Sequence, residues 1–300
     1  DVALGIGDDA ALLQPPAGQQ LVVTTDLLIS GVHFLPDADP VALGHKALAV
    51  NLSDLAAMGA QPAWFVLNLA LPAADESWLA KFSAGLFELA QRYHVQLVGG
   101  DTSRAPQIVI AIEAHGFVPA GQALERAGAK TGDHIFVTGP LGDAGLALRH
   151  RQGKLRLLDA ELASCAVRMD RPQPRVEEGL ALRGIASSAI DISDGLVADL
   201  GHILGMSHVG ARLELARLPL SPAYRTHLAE VGWDVALANG DDYELCFTVP
   251  PGKLAALEQT KTRFPGITEI GLIESGSGVR ILDAASKPYV PKIAGHDHFK

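Results

Sequence analysis

The sequence predicts a mixed α/β protein of two domains, and three observations carry that expectation. Short β-type runs alternate with helical stretches along all 300 residues. At about 150 residues per domain the length allows two units. A polar, Gly-containing connection, GQALERAGAKTGD at 121–133, separates two strongly apolar runs. Apolar residues at 48% and charged residues at 19% exclude a disordered chain, and Gly 31 with Pro 18 stays below a low-complexity composition.

Taken in chain order, the β-type runs are Leu21 to Thr25, Trp64 to Leu71, Gln96 to Val98 and Ile108 to Val118 before the connection. After it come His134 to Thr138, Ala189 to Ile192, Ala211 to Leu215, Glu244 to Val249, Thr268 to Ile273 and Val279 to Leu282. The clearest helix starts at Pro40, places Leu48, Leu52, Leu55 and Met58 on one stripe and stops at Gly59. A second runs from about Glu76 to Tyr93, and others follow Pro174, Gly195 and Pro251. No fixed-period repeat is present.

Lys+Arg 24 against Asp+Glu 34 gives −10, with no basic run to compensate, which argues against a nucleic-acid groove or an anionic membrane surface. The most apolar stretch, Ala63 to Ala74, is interrupted by Asn68 and Pro72 and falls short of the ~18 residues a membrane span requires. The opening Asp1-Val2-Ala3-Leu4 has no basic-then-apolar pattern, so a secretory signal is not expected. Cys165 and Cys246 form no CxxC pair or zinc spacing, which fits a reducing, cytoplasmic compartment.

The acids are distributed in an unusual way. They recur at strand ends and turns beside Gly, Ser or Thr: GIGDDA (5–10), TTD (24–26), NLSD (51–54), GGDT (99–102), DISDG (191–195) and NGDDYEL (239–245). Small neighbours let backbone approach a ligand closely. If such acids converge, two unit charges 4 Å apart repel by about 4 kcal/mol at an effective dielectric near 20, so the cluster must bind cations, hold protons or stay dispersed. Hard oxygen ligands of this kind suit Mg²⁺, which also bridges phosphates. Taken singly, GGDT or DISDG is equally well read as a turn in which Gly supplies positive φ and Asp bonds its own backbone. Six such turns in one chain favour a shared metal site. GIGDDA fits the loose GxGxxG/A fingerprint, but only four residues precede it and paired carboxylates would repel a bare pyrophosphate.

Other chemistries lack their motifs: there is no GxxxxGK[ST], HExxH, GxSxG or kinase HRD/DFG set, while a paired-carboxylate glycosidase stays open. His33, in SGVHF, is either a surface imidazole or a ligand contact. HDH at 296–298 is either a solvated tail or a metal ligand.

The segments GIGDDAAL, TTDLLISGVHF, ALAVNLSDLAAMGA (47–60), VGGDTSR (98–104), HGFVP (115–119), RPQPRVEEG (171–179), AIDISDGLVADLGHI (189–203) and DDYELCFTVP (241–250), in this order, resemble the thiamine-monophosphate kinase family. The resemblance implies the two-domain fold of the aminoimidazole ribonucleotide synthetase superfamily, with N-terminal domains pairing in a homodimer to form a β-barrel. It implies an ATP/Mg²⁺-binding and dimerisation domain over 1–125 and, over 126–300, a domain completing the nucleotide and substrate site.

By the same resemblance, Asp9, Thr24, Thr25, Asp26, Asp54, Asp101, Asp191 and Asp194 hold several Mg²⁺ ions around ATP. Tyr93, Gly100, Asp101, Arg126 and Ser193 contact the nucleotide. His33, Asp241 and His296 contact thiamine phosphate. Two departures bear on the substrate end. The family's GGEDYEL reads NGDDYEL here, shortening the substrate-side carboxylate by a methylene, and the aromatic residue near the C-terminus is His296.

The implied reaction, ATP + thiamine phosphate → ADP + thiamine diphosphate, requires positioning and charge neutralisation, and no side chain is expected to act as a proton-transfer group. Two rivals stand beside it: another ATP-dependent synthetase of the superfamily, and a non-catalytic nucleotide- or cation-binding module. SGVHF in place of a GTK-type signature, and the lack of an N-terminal Cys, count against the first.

Overall fold

The structure, a computed structural model, describes residues 2–292. The chain divides into two compact units. One is Asp1–Ala123 with Asp170–Val176; the other is Leu124–Met169 with the chain from Glu177 onward. A single cut after 125 does not include the return of 170–176 to the first unit.

In the first unit, strands β1 (Val2–Leu4) and β2 (Leu12–Leu13) form a short hairpin. Strands β3 (Gln19–Ile29), β4 (Gln61–Leu71), β5 (Gln96–Arg104) and β6 (Val109–Pro119) form an open sheet in the order β3-β6-β4-β5. β6 runs antiparallel to both β3 and β4, and β4 is parallel to β5 because helix α2 (Glu76–Tyr93) makes the crossover. β3 is longer than the apolar run Leu21–Thr25 predicts, because its polar end stays in register: Thr24 faces Ala114 and Asp26 faces Ile112.

Helix α1 (Pro40–Ala57) begins where Pro40 fits the first turn and the Asp39 carboxylate accepts the Ala42 N–H at 3.0 Å. Gly59, at φ 63°, follows its end. Every residue from Leu43 to Ser53 is buried, more than the single predicted stripe, because the sheet covers one side of α1 and α2 the other. The two helices meet through glycine. A Cβ on Gly44 would lie 2.0 Å from the Phe82 carbonyl oxygen, and one on Gly85 would lie 1.8 Å from that of Val41. On the opposite face of the sheet, Trp64, Val98 and Phe117 form a smaller core against Val2, Ala11 and Leu13 of the hairpin region.

The returning segment 170–176 is tied down by side chains. His45 Nε2–H donates to the Pro172 carbonyl at 2.9 Å, Tyr93 Oη–H to that of Pro174 at 3.1 Å, and Arg171 pairs with Glu88 at 2.7 Å.

The second unit is a seven-stranded sheet. Its strands are β7 (His134–Val137), β8 (Ser188–Asp191), β9 (Gly210–Glu214), β10 (Leu245–Val249), β11 (Thr268–Glu274), β12 (Gly278–Leu282) and β13 (Pro288–Tyr289), in the order β13-β12-β9-β11-β7-β10-β8. Helices α3 (Asp143–Arg151), α4 (Asp159–Asp170), α5 (Val176–Ala181), α6 (Leu196–Ser207), α7 (Pro222–Val231), α8 (Asp234–Ala238) and α9 (Leu254–Arg263) lie along this part of the chain. Its core joins Ile190, Ile192, Leu196, Leu200, Leu213, Leu237 and Cys246. Cys165 and Cys246 are buried and unbridged, and burial pushes the Cys165 thiol up to about 12. Among the described residues no helix is long and apolar enough to cross a membrane.

The helix contact in the first unit yields a stability test. Gly44→Ala or Gly85→Ala inserts a methyl group into opposing backbone, and each is expected to lower stability by about 1–3 kcal/mol or more in urea unfolding. An unchanged midpoint for both would show that the helices do not meet this closely.

Candidate active site

In the first unit the period-2 geometry of β3 separates neighbours in sequence. Thr24 and Asp26 are partly buried, whereas Thr25 is exposed and its hydroxyl donates to the Ile112 carbonyl at 3.0 Å. Thr24 Oγ1–H donates to Asp54 Oδ2 at 2.5 Å, joining β3 to the last turns of α1. Asn51, one turn earlier, accepts the Asp26 N–H at 3.1 Å and donates its own amide to the Ala47 carbonyl at 3.1 Å. Burial, and then the Asp54 charge, raise the Asp26 carboxyl to about 7. Thr24, Asp26 and Asp54 are thus brought together, and the Thr25 side chain is not.

The other first-unit candidates lie apart from these: Asp9 and His33 in loops, Tyr93 at the end of α2, and Gly100 and Asp101 in β5. Asp9 is exposed, with its N–H donating to Asp8 Oδ1 at 2.9 Å. Gly100 has φ 154°, and a Cβ there would lie 1.8 Å from the Leu67 carbonyl oxygen, so β5 can run this close to β4 only with glycine. The next residue, Asp101, donates its N–H to Asn68 Oδ1 at 3.0 Å and accepts from the Ser103 hydroxyl at 3.3 Å. His33 Nδ1 accepts the Ile29 N–H at 3.0 Å, which makes Nε2 the protonated nitrogen of the neutral ring. The Tyr93 hydroxyl is engaged with Pro174 as described.

In the second unit two loops are bonded side by side. The first follows β8, whose last residue, Asp191, is buried opposite Leu245 of β10. The Ile192 N–H donates to the Glu244 carbonyl at 2.8 Å, the Tyr243 N–H to the Ile192 carbonyl at 2.8 Å, and the Asp241 N–H to the Ser193 carbonyl at 2.9 Å. A Cβ on Gly240 would lie 2.1 Å from that Ser193 oxygen. Asp241 and Tyr243 both take positive φ, 70° and 49°, a strained backbone closed by the Tyr243 hydroxyl donating to Asp241 Oδ1 at 3.0 Å. Ser193 and Asp194 occupy the facing turn. Arg126 is exposed, and its carbonyl accepts from Ser207, whose hydroxyl oxygen also accepts the Gly128 and Ala129 N–H groups. His296 lies outside the described residues. Among the described residues no group of three or more His, Cys, Asp or Glu side chains is arranged to hold a metal ion.

Three acids brace these turns: Asp199, which sequence reasoning passed over, and Asp242 and Glu244, which it held only as substitutes for Asp241. The Asp199 carboxylate caps the Ser193–Gly195 turn. Glu244, fully buried, accepts from Thr138 Oγ1 at 2.5 Å and pairs with Arg168. Asp242 accepts the Gly142 N–H at 2.8 Å while its Oδ2 is buried without a hydrogen-bond partner. Burial pushes the Asp242 carboxyl well above the usual range, outweighing the Gly142 bond and the Arg168 charge. Asp242 and Glu244 stand in a motif read for one acid, and only their burial distinguishes them from it.

The Asp242 shift has a sign that can be checked. A folded pKa above the unfolded one means that the native state binds the extra proton, so stability falls as pH rises from the unfolded value toward the folded one. Asp242→Asn, which mimics the neutral acid, is expected to gain in Tm over wild type as pH rises from about 5 to about 8. A difference that does not change with pH would show that the carboxyl is ionised in the folded as in the unfolded state across that window.

Comparison with known proteins follows this geometry. Residues 7–118 match the family model described as AIR synthase related protein, N-terminal domain. Thiamine-monophosphate kinase of Escherichia coli K12 is 54% identical over 260 residues, covering 86% of this chain and 80% of the relative. The crystal structure of thiamine-monophosphate kinase from Stenotrophomonas maltophilia K279a is similar at a TM-score of 0.88 and 50% identity, over 94% of this chain and 91% of that one. AaThiL complexed with AMPPCP and TMP is similar at a TM-score of 0.82 and 34% identity, over 98% and 92%. With identity this high over most of both chains, the protein belongs to the thiamine-monophosphate kinase family.

Proposed function

We propose that the chain transfers the γ-phosphoryl group of ATP to thiamine phosphate, forming ADP and thiamine diphosphate. The observation that carries this reading is its likeness, over 98% of its length, to a protein complexed with AMPPCP and TMP. In the reaction an acceptor phosphate oxygen forms a bond to the γ-phosphorus, and the bond from that phosphorus to the β,γ-bridging oxygen breaks in line. The acceptor is a phosphate whose second pKa is about 6, already largely ionised at neutral pH. No side chain has to remove a proton, which agrees with the absence of an activated His or Lys among the candidates.

In this reading Mg²⁺ would be held by hard oxygens of Asp9, Thr24, Asp26, Asp54 and Asp101 from the first unit and of Asp191 and Asp194 from the second. Thr25, named with them by resemblance, has its hydroxyl on the Ile112 carbonyl. The raised Asp26 carboxyl beside Asp54 supports this fit, since a buried carboxylate repelled by another calls for a cation. When bound, Mg²⁺ would supply positive charge against the phosphates at these carboxylates. On the nucleotide side, Tyr93, Gly100, Asp101, Arg126 and Ser193 orient ATP. Glycine at 100 lets a phosphate approach backbone, and Arg126 adds a fixed cation. On the substrate side, His33 offers Nε2–H, Asp241 a carboxylate and His296 a stacking ring. The first unit carries most of the metal and nucleotide groups, and the second carries Asp191, Ser193, Asp194 and Asp241.

The working form in this reading is a homodimer. Along the outer face of β3, Leu21, Val23 and Leu27 are 45%, 51% and 50% exposed, an apolar row suited to a second copy and to closure of a barrel. The two buried, unbridged thiols support a reducing, cytoplasmic setting.

Mixing the protein with Mg²⁺, ATP and thiamine phosphate is expected to yield ADP and thiamine diphosphate in equal amounts by chromatography. Formation of ADP without thiamine diphosphate would refute the acceptor assignment. Asp101→Asn and Asp191→Asn are each expected to lower kcat by about 100-fold or more, because electrostatic stabilisation is commonly the largest catalytic contribution. Near-normal rates in both would make these turns structural. Asp241→Ala is expected to raise the KM for thiamine phosphate by roughly 10-fold to 150-fold while Asp241→Glu preserves or lowers it, with the KM for ATP little changed. If the Ala variant is silent, the substrate carboxylate is elsewhere.

A further inference from the structure

Asp199 lies in the first turns of α6, is buried, and aims one oxygen back at the chain that leads into the helix. Oδ2 accepts the N–H groups of Ser193 at 3.0 Å, Asp194 at 3.0 Å and Gly195 at 3.1 Å. Three successive amides converging on one oxygen form the concave nest that proteins use to bind anions. Here the anion is the protein's own carboxylate, so these amides are committed to it, and a nucleotide would meet the turn through the Ser193 hydroxyl and the Asp194 carboxylate.

The bracing continues past the turn. The Ser193 carbonyl accepts the Asp241 N–H at 2.9 Å, and the Ile192 carbonyl accepts the Tyr243 N–H at 2.8 Å. No side chain fits at Gly240, where a Cβ would lie 2.1 Å from the Ser193 oxygen, or at Gly195, where one would lie 2.8 Å from the Ala238 carbonyl carbon. One carboxylate thereby fixes the turn of Ser193 and Asp194, and that turn fixes the loop of Asp241.

We propose that Asp199 is a positioning residue for phosphoryl transfer, holding the nucleotide-side turn at Ser193–Asp194 and the substrate-side loop at Asp241 in a single frame. The inference rests on the assignment of Ser193 to ATP and Asp241 to thiamine phosphate. It differs from ordinary helix capping, which would stabilise α6 without linking the two loops.

The test compares Asp199→Ala, Asp199→Asn and Gly240→Ala in the full chain, by steady-state kinetics for both substrates and by amide hydrogen exchange of the segments 189–196 and 239–245. Misplacement on the scale of 1 Å lowers rates by about 100-fold, and a loss of that order in kcat, with both KM values raised, is expected for Asp199→Ala. Exchange should accelerate in both segments. Asp199→Asn should be intermediate, because its amide oxygen can accept the same N–H groups.

Gly240→Ala leaves Asp199 in place, and should reproduce the kinetic loss with faster exchange at 239–245 alone. Near wild-type kinetics for Asp199→Ala overturns the proposal, and so does a kinetic loss with exchange at 239–245 unchanged, which is the signature of a simple cap. If Asp199→Ala does not fold, Gly240→Ala decides: wild-type kinetics there shows that the loops need no common frame. Failure of the wild-type protein to form thiamine diphosphate would refute the assigned activity instead, and the exchange of 239–245 in Asp199→Asn would still report whether the loops are linked.

Discussion

Asp26 and Asp54 face the same small space between β3 and α1, and the consequences of that crowding reach through the first unit. Burial withdraws water from Asp26, and the neighbouring carboxylate raises it further, to about 7. The Thr24 hydroxyl donates to Asp54, and the Asn51 amide oxygen accepts the Asp26 N–H. The pair of carboxylates is relieved by a cation or by a proton held at Asp26, in a chain that carries −10 overall. In the proposed function a divalent cation would supply that relief and let an acidic protein accept two polyanions.

The acids are held by a recurring device. A side-chain carbonyl or carboxylate from a neighbouring element accepts the backbone N–H at or beside the acid: Asn51 for Asp26 in β3, Asn68 for Asp101 in β5, and Asp199 for the turn of Ser193, Asp194 and Gly195. This gives each of these amides a partner inside the fold. It also leaves the acidic side chains for ligands while removing the amides as phosphate donors. Such a site recognises phosphate chiefly through cations and side chains, unlike a glycine-rich loop that cradles it with bare backbone.

Much of this was legible from local pattern. After residue 60 the strands begin and end close to their apolar runs except β5, which continues six residues past Val98 to Arg104, and β13, which no run announced; α1 starts at Asp39-Pro40 and stops at Gly59 as capping chemistry dictates. The β1–β2 hairpin escaped because strands of three and two residues carry no period, and it is held by Trp64, Val98 and Phe117 far along the chain. The return of 170–176 escaped for a similar reason: its anchors are His45, Glu88 and Tyr93, distant in sequence. Alternation along β3 could have separated Thr25 from Thr24 and Asp26, had the strand been read to its full length. Asp199 looks like a surface acid in sequence, and Asp242 like one more acid of the NGDDYEL turn. Only burial and the convergence of N–H groups show otherwise.

The central claim is that these carboxylates accept a nucleotide only with a divalent cation present. Calorimetric titration of the protein with a non-hydrolysable ATP analogue, in Mg²⁺ and then in excess chelator, tests it most directly. The account predicts saturable binding with Mg²⁺, none detectable without it, and weakened binding for Asp54→Asn in Mg²⁺. Equal affinity in chelator would contradict it.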